Sequence, residues 1–332
     1  IVLTNKLYFR LHPPMKTLVL YETDDDFEKL NEIVSFENRF DVQKKMKSPG
    51  TIYEILPKLN DYQAVIVSGI EATLRNGIVK ACIDKDIDCY FIPHTGDVII
   101  AGAKHLQSFS IPIMSARRAV LRPEYAFAKR TLDALLAALG LVIASPVMLI
   151  TAIAIKAYDS GPVIYRQVRL TKDGKQFEIL KFRSMRVDAE KDGVARLSTG
   201  DKDDRITKVG HIIRACRLDE LPQLLNILKG DLSIVGPRPE RPEIAAQYCE
   251  EMPEFALRLQ AKAGLTGYAQ VYGKYNTTPY DKLQMDLMYI AHPSIVEDLK
   301  IMLATVKILF MPESTEGVAE GATTAMGQET EE

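Results

Sequence analysis

The sequence predicts an α/β protein in two parts: an N-terminal doubly wound, Rossmann-like domain, then a hydrophobic helix and a mainly helical α+β region carrying a β-hairpin. Three observations predict it. Short apolar runs alternate with helical periodicity between residues 16 and 116, and a stretch of 22 residues without a charge follows at 134–155. Beyond it, alternating apolar residues flank an Asp-Gly turn before several leucine-rich helical segments. The chain has 332 residues, enough for two domains of ordinary size.

Within the first part, KTLVLYE (16–22) is an apolar run suited to a buried strand. Residues 27–36 have helical periodicity, with Asp24, Asp25 and Asp26 as acidic N-terminal caps. QAVIVSG (63–69) is a second strand, followed by a helix through Ile83, and DCYFIP (88–93) is a third. This alternation implies a parallel sheet. A dinucleotide site would place G-x-G-x-x-G after the first strand, with open backbone amides for the pyrophosphate. Here the turn reads Glu22-Thr23-Asp24-Asp25-Asp26, which repels phosphate. A structural or regulatory role is the leading reading, with ligand binding the other.

The charge-free stretch amounts to about 33 Å of helix, close to the hydrocarbon thickness of a bilayer. Lys129 and Arg130 flank one end and Lys156 the other, so charge does not choose an orientation. Ser145-Pro146 interrupts the middle, where proline removes an N–H. On pattern alone a spanning helix and a bent, re-entrant one fit equally. GPVIYRQVRLTKDGKQFEILKFRSM (161–185) reads as a hairpin around Asp173-Gly174, ending in Lys181, Phe182 and Arg183. Residues 186–208 read as a charged surface loop. SIVEDLKIMLATVKILF (294–310) opens with a capping box, Ser294 and Glu297, and fits either a core helix or one lying on a membrane surface. The tail from Pro312 has six acids and no bases, the composition of a disordered segment.

The net charge of −2 and the absence of a basic block give no reason to expect nucleic acid. The four cysteines form no CxxC pair, which argues against structural zinc or a disulfide frame and for reduced thiols. The chain opens at Ile1 rather than Met, so further sequence upstream is expected. It has no signal-peptide pattern.

The densest chemistry lies in ITKVGHIIRACRLDELPQLLNILKGDLSIVGPRPE (206–240). Asp219 and Glu220 stand at the predicted start of a helix marked by Leu221, Leu224, Leu225 and Leu228 and ending at Gly230. Acids in a first turn complement the helix dipole and need no function. Arg214, Arg217 and Arg238, the last held between Pro237 and Pro239, open the other reading. Guanidinium groups around two carboxylates suit a diphosphate site that also binds Mg²⁺, which takes one or two carboxylates plus substrate phosphate oxygens.

From Phe127 to Pro312 the chain resembles the bacterial sugar transferase family, the monotopic polyprenyl-phosphate phosphoglycosyl transferases. The matching pieces are Lys129-Arg130-x-x-Asp133, Ser145-Pro146, Lys181-Phe182-Arg183-Ser184-Met185 and Arg214-x-x-x-Leu218-Asp219-Glu220-Leu221-Pro222-Gln223-Leu224. They continue as Asn226-x-Leu228-Lys229-Gly230-Asp231-x-Ser233-x-Val235-Gly236-Pro237-Arg238-Pro239 and Gly264-Leu265-Thr266-Gly267. The upstream α/β domain is similar to that of the long form, in which a membrane-helix bundle precedes it. Where many relatives carry Gly-Arg-Asn, this chain has Gly273-Lys274-Tyr275-Asn276, and lysine lacks the bidentate fork. Tyr268, Gln270, Tyr272 and Tyr275 fit either a sugar pocket or a packed aromatic loop.

The resemblance implies an organisation. Residues 1–15 would end a membrane region or linker, 16–116 form the Rossmann-like domain, 117–128 a linker, 129–156 a re-entrant membrane helix broken at Ser145-Pro146, 157–311 the catalytic domain and 312–332 an acidic tail. It also implies a reaction: Asp219 attacks the phosphorus next to the sugar of a UDP-sugar, UMP leaves, and undecaprenyl phosphate takes the phosphosugar from the aspartate. Mg²⁺ would be held by Asp219 and Glu220, with Glu220 as metal or proton partner. Arg214 and Arg238 would lie at the phosphates, Lys181 and Arg183 would be further phosphate contacts, and Lys129 and Arg130 would meet lipid headgroups. The implied setting is the cytosolic face of a bacterial membrane, in a pathway that starts exopolysaccharide or capsule assembly, with a homodimer suggested by long-form relatives. The alternative is an inactive membrane-attached scaffold for polysaccharide synthesis.

Overall fold

Thr17–Leu20 and Ala64–Val67 are buried runs rich in β-branched residues, and they form neighbouring strands at the centre of a four-stranded sheet in a computed structural model of the chain. The structure describes residues 13–36, 39–106, 112–119, 121–187, 189, 203–273 and 277–309. The chain divides into two units, Ile1–His94 and Thr95–Glu332. Residues 95–116, which the sequence reading joins to the first domain, cluster with the second. Residues 1–12 and the tail from Pro312 fall outside the described part, as does most of the charged loop at 186–208.

In the first unit, β1 (Met15–Tyr21), β2 (Phe40–Lys47), β3 (Ala64–Ser68) and β4 (Asp88–Phe91) pair in parallel, in the order β2-β1-β3-β4. Alternate side chains serve opposite faces. Leu18, Leu20, Val65 and Val67 pack with Ile78 and Cys82 of helix α2 (Ala72–Asp84), whereas Val19 and Ile66 pack with Leu30 of helix α1 (Asp24–Phe36). The three strands read from sequence are present, and β2 is a fourth. Its FDVQKKMK sequence gives little apolar signal because it is an edge strand whose lysines face water. The acidic turn after β1 has a structural use: Asp26 accepts hydrogen bonds from the Thr23 amide and hydroxyl and from Ser68 Oγ, tying β1 to β3.

The second unit is built on helix α4 (Pro123–Tyr158), which follows a short helix α3 (Thr95–Ala101) and the small hairpin β5 (Lys104–Leu106) and β6 (Ile113–Ser115). At 36 residues it is about 54 Å long. It continues through Pro146. Proline cannot donate to the Val142 carbonyl four residues back, and Ser145 Oγ does so instead at 2.8 Å. The helix is long and apolar enough to cross a membrane. Its packing is one-sided. Asp133, Ala137, Thr151 and Ile155 form a buried stripe, while Val142, Ile143 and Ile150 are 72%, 69% and 67% exposed. Ala137 in the first half packs with Ile227 and Leu232, and Ile155 in the second packs with Phe182 and Ile213. Both halves therefore lie on the same unit.

The charged residues in the first turns of α4 are occupied inside the unit. Lys129 Nζ meets Asp298 Oδ2 at 2.9 Å, with side chains 11% and 2% exposed, and Tyr125 and Tyr289 donate to the same carboxylate at 3.0 and 2.8 Å. Asp298 lies on helix α10 (Ile295–Leu309), which follows helix α9 (Pro279–Ala291). Arg130 donates to the Ile227 and Leu228 carbonyls, both at 2.6 Å, and so completes the C-terminus of helix α6 (Gln223–Lys229). Lys129 and Arg130, expected at lipid headgroups, thus each have partners within the protein. Asp133 accepts from Ser233 Oγ and the Ile234 amide at 2.7 and 3.2 Å, docking α4 on strand β9 (Ser233–Val235).

The Lys129–Asp298 pair gives a direct test. Lys129→Met should leave a buried carboxylate uncompensated and lower stability by about 3–5 kcal/mol. Denaturant unfolding reads this. Loss of anionic-vesicle binding at unchanged stability would instead support the headgroup role.

Candidate active site

Three segments of the second unit converge on one acidic turn. The first is the hairpin β7 (Ile164–Leu170) and β8 (Gln176–Phe182), whose turn holds Asp173 and Gly174 at φ 61° and 71°. Lys181 stands near the end of β8. Asn226 of α6 fixes the helix to this strand, accepting from the Leu180 amide at 3.0 Å and donating to the Glu178 carbonyl at 2.7 Å.

The second segment carries the carboxylates. Helix α5 (Lys208–Ala215) is capped by Thr207, whose hydroxyl accepts from the Gly210 amide at 2.9 Å. After it, Arg217 adopts a left-handed backbone at φ 55°. A non-glycine residue there is disfavoured by about 1–2 kcal/mol, and such strain concentrates at functional sites. The reversal launches a separate 3-10 turn, Leu218–Glu220, and α6 starts only after Pro222. Asp219 and Glu220 are therefore not the first turn of the leucine-rich helix, as the sequence suggested. Leu218 and Leu221 anchor the turn against Ile155, Phe182 and Ile213.

The third segment is Pro237-Arg238-Pro239, after β9. Both prolines are buried and the arginine between them is exposed. Strand β10 (Gly264–Thr266) pairs in parallel with β9, and the two backbones approach so closely that a Cβ on Gly264 would lie 2.1 Å from the Gly236 nitrogen. Only glycine fits there.

Glu220 Oε1 receives Lys181 Nζ at 2.8 Å and Arg238 Nη2 at 3.5 Å. Burial works to raise its pKa, but Lys181 and then Arg238 outweigh it and hold the carboxyl well below the usual range. Asp219 is shifted the opposite way. Burial first, then the charge on Glu220, pushes it up, against the opposing pull of Lys181, Arg214 and Arg217. Two adjacent carboxyls with opposite shifts have separable roles. The structure thus brings together Asp219, Glu220, Lys181 and Arg238, with Arg214 and Arg217 in electrostatic range. In sequence Arg217 counts among the three guanidinium groups around the carboxylates, without an assigned phosphate contact.

Arg183 goes elsewhere. It is buried and paired with Asp159 at the C-terminal end of α4, where it links the hairpin to that helix. Tyr268 donates to Glu297 at 2.5 Å and stacks at a tilt on Tyr272, with ring centroids 5.4 Å apart. The Lys274-Tyr275-Asn276 departure lies outside the described residues. Among the described residues no three His, Cys, Asp or Glu side chains cluster as a metal cage. The donor set at Asp219 and Glu220 still suits magnesium, which takes one or two carboxylates and fills its octahedron with phosphate oxygens and water.

The sequence profile of a family described as "Bacterial sugar transferase" matches residues 124–312, from the start of α4 to just past α10. A protein of Caulobacter vibrioides named UDP-glucose:undecaprenyl-phosphate glucose-1-phosphate transferase is 43% identical over 191 residues, covering 56% of this chain and 71% of the relative. One of Escherichia coli with the same name is 37% identical over 262 residues, covering 77% of this chain and 54% of the relative. An Aeromonas hydrophila protein named UDP-N-acetylgalactosamine-undecaprenyl-phosphate N-acetylgalactosaminephosphotransferase is 40% identical over 190 residues, covering 56% of this chain and 44% of the relative. The chain thus spans about half the length of the last two.

The pairing at Glu220 predicts a pH signature. A folded-state pKa below the unfolded value stabilises the fold above the ordinary carboxylate range, near pH 4.3, a contribution that is lost as pH falls through the folded pKa. Lys181→Met removes the nearest cation. The stability gap between wild type and Lys181→Met should therefore be widest near neutral pH and narrow below about pH 4. Thermal melts across that range measure it, and a gap independent of pH would contradict the pairing.

Proposed function

We propose, from the premise that this chain belongs to the bacterial sugar transferase family, that it moves a sugar 1-phosphate from a UDP-sugar to undecaprenyl phosphate at the site around Asp219. One observation carries the reading: a buried aspartate lies beside a glutamate whose Oε1 is paired with Lys181 and Arg238. Glu220 is thereby committed to holding charge in place, which leaves Asp219 as the carboxylate able to react.

In the first step an Asp219 carboxylate oxygen attacks the phosphorus next to the sugar. The bond from that phosphorus to the bridging oxygen breaks, and UMP leaves with the oxygen and its electron pair. In the second step an oxygen of undecaprenyl phosphate attacks the same phosphorus and returns the carboxylate of Asp219. Splitting the transfer this way replaces one difficult displacement by two easier ones. Arg214, Arg217, Lys181 and Arg238 supply fixed positive charge where phosphoryl oxygens gain negative charge. Magnesium, when bound by Asp219 and Glu220, would add further charge stabilisation at those oxygens.

The packing of α4 supports an attached, non-spanning arrangement. One stripe of the helix is committed to the catalytic unit in both halves, while the apolar remainder is exposed. A helix crossing the bilayer in that pose would draw polar parts of the unit into hydrocarbon, at several kcal/mol for each unpaired polar group. A re-entrant helix on the cytosolic side keeps both the soluble donor and the lipid phosphate within reach of Asp219. We take the first unit as a Rossmann-like domain with a structural or regulatory role, since the Asp26 carboxylate ties β1 to β3 where a phosphate loop would open.

Purified protein should release UMP from a UDP-sugar when undecaprenyl phosphate is present, in a panel that includes UDP-glucose and UDP-N-acetylgalactosamine. Asp219→Asn should reduce release to background, and Arg238→Ala should lower it about a hundredfold to a thousandfold. Chelation should abolish release and magnesium restore it. Full turnover by Asp219→Asn would end the covalent reading, and full turnover in chelator would remove the metal.

A further inference from the structure

The segment that carries Arg238 is held in an unusual way. Pro237 and Pro239 have no N–H, so the backbone there offers few donors to its neighbours. Its carbonyls take the load instead, and four in a row are bound. The Pro237 oxygen accepts from the Gly264 amide at 2.8 Å and the Glu240 oxygen from the Leu170 amide at 2.9 Å. Between them, the Arg238 oxygen accepts from Arg258 Nη2 at 3.0 Å and the Pro239 oxygen from Arg169 Nη1 at 3.2 Å.

Arg258 is itself locked. Its side chain is 6% exposed, and Asp286 of α9, at 2% exposed, accepts from its Nε at 3.0 Å and its Nη2 at 2.7 Å. Its Nη1 reaches Glu240 at 3.4 Å. One planar guanidinium thus bridges a buried carboxylate, an acidic side chain two residues past Arg238, and the carbonyl of Arg238 itself. Lysine could keep the charge opposite Asp286 but could not make all of these contacts from one rigid plane.

We infer that Arg258, set by Asp286 and assisted by Arg169, is a positioning residue: it fixes the backbone of residues 237–240 so that the Arg238 side chain is presented to Glu220 and to the phosphoryl group being transferred. This rests on the transfer reading given above. It assigns a role in the reaction to an arginine–aspartate pair that does not touch the carboxylates. Neither Arg258 nor Arg169 needs to contact substrate, because each acts through a carbonyl of the loop. Displacing a positioning element by about 1 Å can reduce rate by about a hundredfold.

The test is a pair of double-mutant cycles read by UMP release. Arg258→Lys alone should lower kcat about tenfold to a hundredfold. In an Arg238→Lys background the same change should cost less than about twofold, because residues that act through one another are not additive. Arg169→Met, at a less buried site, should show the same coupling to Arg238→Lys with a smaller effect, and it carries the test if Arg258→Lys melts below assay temperature. Hydrogen exchange at the Gly264 and Leu170 amides should quicken in Arg258→Lys, while exchange in β1 and β3 of the first unit stays unchanged. Coupling in either cycle supports the clamp. Losses that multiply independently in an active enzyme overturn the clamp alone, and a wild type that releases no UMP overturns both the clamp and the transfer reading.

Discussion

The Glu220 carboxylate is the interaction on which the site depends. Lys181 reaches it from the end of a β-hairpin and Arg238 from a proline-bounded loop, while the residue itself sits on a turn between two helices. One charge thereby joins three segments whose residues are distant in sequence. A half-buried carboxylate without those cations would protonate or draw in water, and the turn would lose its fixed relation to hairpin and loop. Asp219 feels the same arrangement from the other side. It lies next to a charge that is always present, in a buried position, and its carboxyl is pushed up accordingly. The pair is electrostatically differentiated by its neighbours, although the two side chains differ by one methylene.

What surrounds that charge is arranged to keep it still. The turn is pinned by Leu218 and Leu221 on the hydrophobic cluster beneath α4, α6 is fastened to β8 through Asn226, and the Arg238 loop is held carbonyl by carbonyl. The long apolar helix is part of the same construction. Its buried stripe contributes Ala137 to one cluster and Ile155 to another, and Arg130 closes the helix that follows the acidic turn. The exposed apolar face of α4 and the Asp219–Glu220 turn therefore belong to one packed unit.

Local features of this architecture were legible in the sequence, and features that depend on distant partners were not. The apolar runs at β1, β3 and β4 and the Asp-Gly hairpin announce themselves because burial and turn chemistry are local. The edge strand β2 does not, since its lysines are indistinguishable from those of a loop. Asp219, Glu220 and Arg238 stood out as residue types, but their placement on a separate 3-10 turn depends on a left-handed Arg217 that no propensity favours. Lys129, Arg130 and Arg183 looked like surface cations because their partners, Asp298, two helix-end carbonyls and Asp159, lie elsewhere in the chain. Arg258 and Asp286 gave no signal for the same reason: 28 residues separate them, and only the fold makes them a pair.

In the proposed transfer the buried carboxylate of Asp219 becomes covalently attached to the phosphosugar. This attachment is tested most directly by mixing the protein with a UDP-sugar donor and magnesium, without lipid acceptor, and measuring the intact mass and the peptide containing residue 219. One phosphosugar adduct per chain is expected on Asp219, with a stoichiometric amount of UMP, and the adduct should be lost when undecaprenyl phosphate is added. Turnover with the full acceptor system but no adduct at any time, or an adduct on another residue, would contradict the attachment.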